Sequence, residues 1–125
     1  MKLLVVDDSD VIRRAIRRTI EKPEDHIETA CNGVEALRAI ENFEPDVVTM
    51  DISMPEMDGL TCIEGIVRKR PGTRILVISA LKDKPTAVEA VRRGAQGFLL
   101  KPFTSEALSF EITDLLAVTG GVRRS

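Results

Sequence analysis

Short apolar runs alternate five times with segments of helical periodicity, and this alternation limits the possible folds more than any other feature of the chain. Most of the runs are dense in Val, Ile and Leu, which is typical of strands buried on both faces of a sheet. A repeated strand-helix order predicts a parallel sheet covered by helices on both faces through right-handed crossovers. We expect a flavodoxin-like, doubly wound α/β fold with five strands in the order 2-1-3-4-5 and five helices.

The same periodicity predicts where the elements lie. The predicted strands cover residues 2–6, 26–30, 46–50, 74–79 and 97–100. The second of these mixes polar and apolar residues, so we expect it at an edge of the sheet. The predicted helices begin after Ser9, after Asn32, at Gly59, at Thr86, and after Thr104 or Ser105. We expect Gly94 to end the fourth helix in a left-handed conformation.

Apolar residues at helical spacing are expected to form the inward face of each helix. They are Val11, Ile12, Ala15, Ile16, Thr19 and Ile20 in the first helix, Ala36, Leu37, Ile40 and Phe43 in the second, Leu60, Ile63 and Val67 in the third, and Leu108, Ile112, Leu115 and Leu116 in the last. The other side of the first helix carries Arg13, Arg14, Arg17 and Arg18. This predicts a solvated basic face, with a partner surface as the alternative.

With 125 residues the chain is long enough for one well-packed domain and too short for two. We expect residues 1–119 to form that domain and residues 120–125 to form a flexible tail. The formal net charge of −2 gives no strong attraction to nucleic acid or to anionic membranes. The apolar runs are too short to cross a bilayer, and the first is too short for a signal peptide, which predicts a cytoplasmic protein.

The usage of cysteine, histidine and aromatic residues argues against several kinds of site. Cys31 and Cys62 lack the spacing of a CxxC motif, and we expect both to be reduced structural thiols. One histidine, His26, is too few for a His/Cys zinc site. The chain has no Tyr and no Trp, which weakens the case for a stacking-based nucleic-acid or flavin site.

A carboxylate, Asp51, stands at the end of the third predicted strand, where open α/β sheets form their ligand crevice. A lone aspartate there is equally compatible with a helix cap or a loop. The residues at the ends of other predicted strands are expected at the same edge of the sheet, and they are Asp7, Asp8, Ser79, Ala80 and Lys101. Crowded carboxylates repel one another unless a divalent cation or a lysine ammonium offsets their charge.

This group of side chains suits phosphoryl chemistry. Mg²⁺ prefers oxygen ligands and commonly binds through one or two carboxylates and a phosphate. Such an ion, Lys101 and the hydroxyl of Ser79 would surround the oxygens of a phosphoryl group, whose transfer depends mainly on positioning and charge neutralisation. Asp51 can then act as the nucleophile and form an aspartyl phosphate.

Several segments of the chain are similar to those of a known family. They are VVDDS at residues 5–9, NGVEAL at 32–37, DISMPEMDG at 51–59, SA at 79–80 and GAQGFLLKPF at 94–103. Each segment alone is a weak signal, but all occur in order and each polar residue falls at a strand end. The chain resembles, over nearly its whole length, the receiver domain of response regulators in two-component signalling. Its length and ending resemble the stand-alone chemotaxis type.

The resemblance implies how a phosphoryl group would be received. Asp51 would accept it from the phosphohistidine of a sensor histidine kinase or a phosphotransfer protein. Asp7 and Asp8 match the family's acidic pair, which holds Mg²⁺ or Mn²⁺ directly or through water. Asp51 and the backbone carbonyl of Ser53 match further metal ligands.

The resemblance also implies a switch. Ser79, next to Ala80, matches the hydroxyl that moves to bond the phosphate, and Lys101 matches the cation that pairs with it. The Lys101–Pro102 bond matches one that is often cis in the family, and a cis bond before proline is only slightly disfavoured. Phe98 matches the aromatic residue that turns inward when Ser79 moves.

Two positions depart from the family pattern. Phe98 replaces a tyrosine, so an inward state would be held by packing without a hydroxyl hydrogen bond; the alternative is that Phe98 is a core residue. Ser53 and Leu81 match positions that tune self-dephosphorylation, and a leucine cannot orient an attacking water. The sequence therefore predicts a long-lived phosphoaspartate.

The output surface is predicted from the last two helices. Phe110 and Ala117 fall opposite the expected core stripe of the last helix, and Arg92 and Arg93 end the fourth helix. In the family this face serves partners and dimers, so we expect a downstream protein to bind here, with the chain a monomer or a phosphorylation-dependent dimer. We expect neither an enzyme nor direct binding to DNA.

Other classes of protein fit less well. A haloacid-dehalogenase-type phosphatase needs two aspartates in one DxD motif, whereas Asp7 and Asp8 are adjacent and belong to a different strand from Asp51. A flavodoxin-like electron carrier would place its phosphate-binding loop where these acidic residues stand, and their charge would repel the phosphate. A P-loop nucleotide-binding protein is also disfavoured, because no GxxxxGK motif occurs. The alternatives that stay open are a non-phosphorylated binding module, a phosphorelay intermediate and a receiver cut from a longer transcriptional regulator.

Overall fold

The computed structural model of the chain describes residues 1–20, 22–52, 59–80 and 83–117. In these residues five strands alternate with five helices. The elements are β1 (Lys2–Val6), α1 (Asp10–Ile20), β2 (His26–Ala30), α2 (Gly33–Phe43), β3 (Val47–Asp51), α3 (Gly59–Lys69), β4 (Arg74–Ala80), α4 (Lys84–Arg92), β5 (Gly97–Lys101) and α5 (Ser105–Leu116). Within this described part, no helix combines the length and the apolar composition that crossing a membrane requires.

The strands form one parallel sheet in the predicted order, β2-β1-β3-β4-β5. β3 lies at the centre, and all five of its residues are buried because strands flank it and helices cover both of its faces. β2 pairs with β1 and exposes three of its five residues, which confirms that it is an edge strand. The strand order reverses between β1 and β3, so their carboxyl ends border the crevice that ligands occupy in such sheets.

Alternate side chains of each strand point to opposite faces of the sheet and build two apolar clusters. One cluster joins the sheet to α2, α3 and α4, and it includes Ile40, Ile63 and Ala87. The other joins the sheet to α1 and α5 through residues such as Ile16 and Leu108. Helices therefore cover both faces, which confirms the doubly wound architecture.

Helix ends follow the predicted capping residues. Ser9 Oγ accepts a hydrogen bond from the Ile12 N–H at 3.2 Å. Thr104 Oγ1 accepts one from the Ala107 N–H at 3.0 Å, which identifies Thr104 as the cap of α5. Gly94 follows α4 with a φ of 125°, a conformation that residues with a side chain rarely adopt.

The element bounds differ from the predictions in small ways. β3 is shifted by one residue, to Val47–Asp51, and β4 and β5 each extend one residue further, so that Asp51, Ala80 and Lys101 are the last residues of their strands. α4 begins at Lys84, two residues before its predicted start. The earlier start is possible because Pro85 lies in the first turn, where a missing N–H costs no hydrogen bond.

Three side chains that we expected on inward helix faces are exposed. Val11 is 71% exposed, Leu116 is 41% exposed, and Ala15 is also exposed. Each lies next to a residue that takes the core contact, about 100° round the helix. The inward stripe is therefore narrower than the run of apolar residues suggested.

Candidate functional site

The register of the parallel strands brings the predicted site residues to one edge of the sheet. β1 and β3 pair so that Asp7 and Asp51 each come directly after the last paired position. Ala80 pairs with Lys101 across β4 and β5. Ser79 lies one position past the residue that pairs with Asp51.

Three carboxylates converge at this edge. One oxygen each of Asp7, Asp8 and Asp51 lies within 4.8 Å of the other two. Asp7 is 1% exposed and Asp51 is 5% exposed, whereas Asp8 is exposed to solvent. Two of the three are therefore shielded from the water that would otherwise weaken their mutual repulsion.

Lys101 reaches the two buried carboxylates from β5. Its Nζ lies 3.4 Å from Asp7 Oδ2 and 3.8 Å from Asp51 Oδ2. Counted over the three carboxylates and Lys101 alone, the charges leave a formal excess of two negative charges. A divalent cation would match this excess, and the donor atoms are the carboxylate oxygens that Mg²⁺ prefers.

Asp7 is held from the backbone as well as by the lysine. Its N–H donates to the Ala30 carbonyl at 3.1 Å, which continues the β1–β2 ladder past the end of the strand. Its Oδ1 accepts a hydrogen bond from the Ser9 N–H at 2.9 Å. Because Oδ1 of Asp7 accepts a hydrogen bond from the turn before α1, Oδ2 faces Lys101 and the crevice.

The predicted switch residues lie beside the crevice. Ser79 is fully buried, and its hydroxyl donates to the Ala80 carbonyl at 2.9 Å. Phe98 is 37% exposed, so it is not the core residue that the alternative interpretation required. The peptide bond between Lys101 and Pro102 is cis.

One cysteine, Cys31, directly follows the last residue of β2. The Cys31 thiol donates to Glu35 Oε2 at 3.2 Å, and the Cys31 N–H donates to Glu35 Oε1 at 3.0 Å. The thiol hydrogen bond raises the pKa of Cys31, and the backbone hydrogen bond is the main cause of a lowered pKa at Glu35. The raised pKa keeps the thiol protonated, in line with its expected structural character.

The predicted output residues are only partly together. Phe110 is 67% exposed and Ala117 is exposed, so both lie away from the core as predicted. Arg92 is exposed, but Arg93 Nη1 lies 2.9 Å from Glu64 Oε1 of α3. Arg93 therefore belongs to the boundary between α3 and α4, because an ion pair there draws its side chain away from α5.

Sequence reasoning missed one residue at the crevice. Arg13 was expected on a solvated basic face, yet its side chain is only 17% exposed. Its Nη1 donates to the Asp7 carbonyl at 2.6 Å. The position of Arg13 in the first turn of α1 was the available signal, since a long side chain there can reach back over the preceding loop.

Three of the sequence predictions lie outside the described residues. They are the Ser53 carbonyl as a metal ligand, Leu81 as a position that tunes dephosphorylation, and residues 120–125 as a tail.

Comparisons with known proteins agree with this geometry. Residues 3–113 match the family described as the response regulator receiver domain. The chain is 36% identical over 107 residues to the chemotaxis protein CheY of Listeria monocytogenes, covering 85% of this chain and 90% of that protein. It is 46% identical over 106 residues to protein-glutamate methylesterase/protein-glutamine glutaminase 2 of Carboxydothermus hydrogenoformans, covering 82% of this chain and 30% of that protein. The solved receiver domain of NtrX from Brucella abortus has a TM-score of 0.88 and 32% identity, covering 94% of this chain and 99% of that one.

Proposed function

The chain belongs to the response-regulator receiver-domain family of two-component signalling, and on that premise we propose that it is a switch controlled by phosphorylation of Asp51. The observation that carries the proposal is the convergence of Asp7, Asp8 and Asp51 within 4.8 Å, with Lys101 3.8 Å from Asp51. Asp51 ends the central strand and is 5% exposed, so its carboxylate is largely shielded from bulk water. These features supply a nucleophile next to a cation that can pair with phosphoryl oxygens.

The same crevice has the donor set of a Mg²⁺ or Mn²⁺ site. Asp7, Asp8 and Asp51 would hold the ion, with the Ser53 carbonyl as a further ligand by resemblance. Mg–O bonds of about 2.1 Å allow two ligands to lie up to about 4.2 Å apart, which is close to the separation within this cluster. The bound ion would neutralise charge on the phosphoryl oxygens.

Phosphoryl transfer at this site needs little from the protein beyond a positioned nucleophile. A carboxylate oxygen of Asp51 attacks the phosphorus of a phosphohistidine on a sensor histidine kinase or phosphotransfer protein. The P–N bond breaks, its electron pair stays on the imidazole nitrogen, and a new P–O bond makes an aspartyl phosphate. Lys101 pairs with a phosphoryl oxygen, and the chain is the acceptor in this step without turnover of its own.

The signal would leave the crevice through Ser79 and Phe98. A phosphoryl group on Asp51 offers the Ser79 hydroxyl a charged acceptor in place of the Ala80 carbonyl, and such hydrogen bonds are about twice as strong as neutral ones. Movement of Ser79 would open room for Phe98 to turn inward, driven by burial of its ring. Because Leu81 offers no polar group to orient water, decay of the phosphoprotein should take minutes or longer, and decay within seconds would contradict this.

Intact-mass spectrometry after incubation with acetyl phosphate tests the acceptor. Wild type should gain one phosphoryl mass when Mg²⁺ is present, and Asp51→Asn should gain none. Asp46→Asn is the matched control, since Asp46 is exposed just before the other end of the same strand and its carboxylate accepts a hydrogen bond from the Lys2 N–H. A wild type that gains no mass, or an Asp51→Asn that gains it, would overturn the proposal in favour of a non-phosphorylated binding module.

The output would pass to a downstream protein through the exposed surface around Phe110. Similarity to a chemotaxis protein supports a target in chemotaxis, while similarity to regulators that carry further domains keeps a phosphorelay or a transcriptional output open. Phe110→Ala should weaken phosphorylation-dependent dimerisation or partner binding, because it removes an aromatic ring that is 67% exposed on α5. Unchanged association in analytical ultracentrifugation and in partner binding would count against this surface.

A further inference from the structure

Arg13 lies against the connection between β1 and α1, which carries two of the three carboxylates of the crevice. From the first turn of α1 its Nη1 donates to the Asp7 carbonyl at 2.6 Å, six residues back along the chain. Its Nη2 lies 3.3 Å from Asp10 Oδ1, which holds the guanidinium from the solvent side. Arg14 also pairs with Asp10, yet its side chain is 67% exposed against 17% for Arg13. Arg13 alone of this pair is drawn inward to the crevice.

The carbonyl that Arg13 binds belongs to the peptide unit between Asp7 and Asp8. Fixing this peptide plane limits the backbone rotation that sets the direction of both side chains. Asp7 has further anchors, because its N–H binds the Ala30 carbonyl and its Oδ1 binds the Ser9 N–H. Asp8 is exposed, so the orientation of its carboxylate depends more heavily on the peptide plane that Arg13 holds.

We propose that Arg13 is a positioning residue for the divalent-cation site. It holds the peptide between Asp7 and Asp8 so that both carboxylates face one ion together with Asp51. This inference rests on the proposed function, since it assigns a residue to the same crevice. Outer partners that orient metal ligands commonly change metal affinity by about tenfold or more when they are removed.

The direction of the effect separates positioning from simple electrostatics. The guanidinium brings a positive charge to the rim of a crevice that would bind a cation. Removal of that charge would by itself strengthen cation binding, because like charges repel. Positioning predicts the opposite, namely weaker binding. Arg13→Lys sharpens the comparison, because it keeps the charge but loses the planar fork that reaches the carbonyl and Asp10 together.

The test is a titration of metal-free protein with Mg²⁺ alone, followed by amide NMR shifts because the chain has no Trp or Tyr to report binding by fluorescence. Arg13→Ala should bind Mg²⁺ about tenfold more weakly than wild type, and Arg13→Lys should also bind more weakly. The control Arg14→Ala should stay within about twofold, since an exposed ion pair contributes little. The free energy of unfolding in chelator, measured for each variant, reports any loss of folding separately.

Each outcome decides the inference. Equal or tighter Mg²⁺ binding by Arg13→Ala, or by a folded Arg13→Lys if Arg13→Ala does not fold, would overturn it. Equal weakening in Arg14→Ala would also overturn it, because a general effect of the α1 charges would then suffice. Failure of wild type to bind Mg²⁺ would remove the proposed cation site itself, whereas normal wild-type binding with unaffected Arg13 variants would remove this inference alone.

Discussion

The connection between β1 and α1 lies between two acidic sites, the single carboxylate of Asp10 and the cluster of Asp7, Asp8 and Asp51. The two sites differ in their exposure to solvent and in the balance of their charges. On the solvent side, Asp10 is exposed and forms ion pairs with Arg13 and Arg14. On the crevice side, the buried Asp7 and Asp51 lie with Asp8 in one cluster, and the ammonium of Lys101 lies near both buried carboxylates.

The comparison separates a structural role from a functional one. An exposed carboxylate with two guanidinium partners stabilises the first turn of a helix and changes the free energy of unfolding only slightly. Buried carboxylates that outnumber their counter-charge reduce stability, so their presence needs a reason beyond folding. The proposed site for a cation and a phosphoryl group would supply such a reason.

The largest expected effect comes from removing the Lys101 ammonium from the crevice. Lys101→Ala should slow phosphorylation of Asp51 by acetyl phosphate about a hundredfold, because a positioned cation that pairs with transferring oxygens contributes that much to such reactions. Rates from intact-mass time courses measure this. The control is Lys69→Ala, which removes an exposed lysine paired with Glu41 on another part of the surface. A loss of similar size in both variants would contradict a specific role for Lys101.

A smaller effect is expected on stability when the crevice loses a carboxylate. Asp7→Asn should stabilise the protein in chelator by about 1 kcal/mol, since it relieves repulsion while Oδ1 can still accept from the Ser9 N–H. Urea unfolding with and without Mg²⁺ measures this, and the Mg²⁺-dependent increase in the free energy of unfolding that we expect for wild type should be smaller in the variant. Destabilisation in chelator would mean that the charges of the crevice already balance one another. The contrast in charge balance between the crevice and Asp10 would then be wrong.

The smallest effect is expected at Asp10. A hydrogen bond from Arg14 is the main cause of a lowered pKa at this carboxyl. Its stabilising contribution is therefore present above the ordinary pKa value of 3.8 and is lost as the pH falls through the lowered value in the folded protein. The difference in unfolding free energy between wild type and Asp10→Asn should be small near neutral pH, shrink in acid and decrease with added salt. A difference that grows in acid would have the wrong sign.

The fold could be predicted from local sequence patterns. The proximity of the site residues could be predicted because the carboxyl ends of parallel strands lie at the same edge of a sheet. Strand-helix alternation predicts parallel pairing, and parallel pairing brings the ends of neighbouring strands together. The sequence therefore predicts that Asp7, Asp51, Ala80 and Lys101 lie at one edge, and the strand register brings them there. Their functional roles stay a proposal.

What could not be predicted depends on the directions of individual side chains. Arg13 and Arg14 are adjacent and identical in type, but only a turn of about 100° separates an inward guanidinium from a solvated one. Arg93 was expected near α5 and instead pairs with Glu64, because a nearby acidic residue on α3 offers a closer partner. Leu116 was expected inside, yet the core contact belongs to Leu115.

The most direct test of the central claim is to locate the phosphoryl group chemically. Borohydride reduces an aspartyl phosphate to homoserine, so reduction of the phosphorylated protein followed by peptide mass mapping marks the acceptor residue. The account predicts homoserine at position 51 and nowhere else, in a Mg²⁺-dependent amount. Homoserine at position 7 or 8, or none in protein that carries the phosphoryl mass, would contradict the assignment of Asp51 as the acceptor.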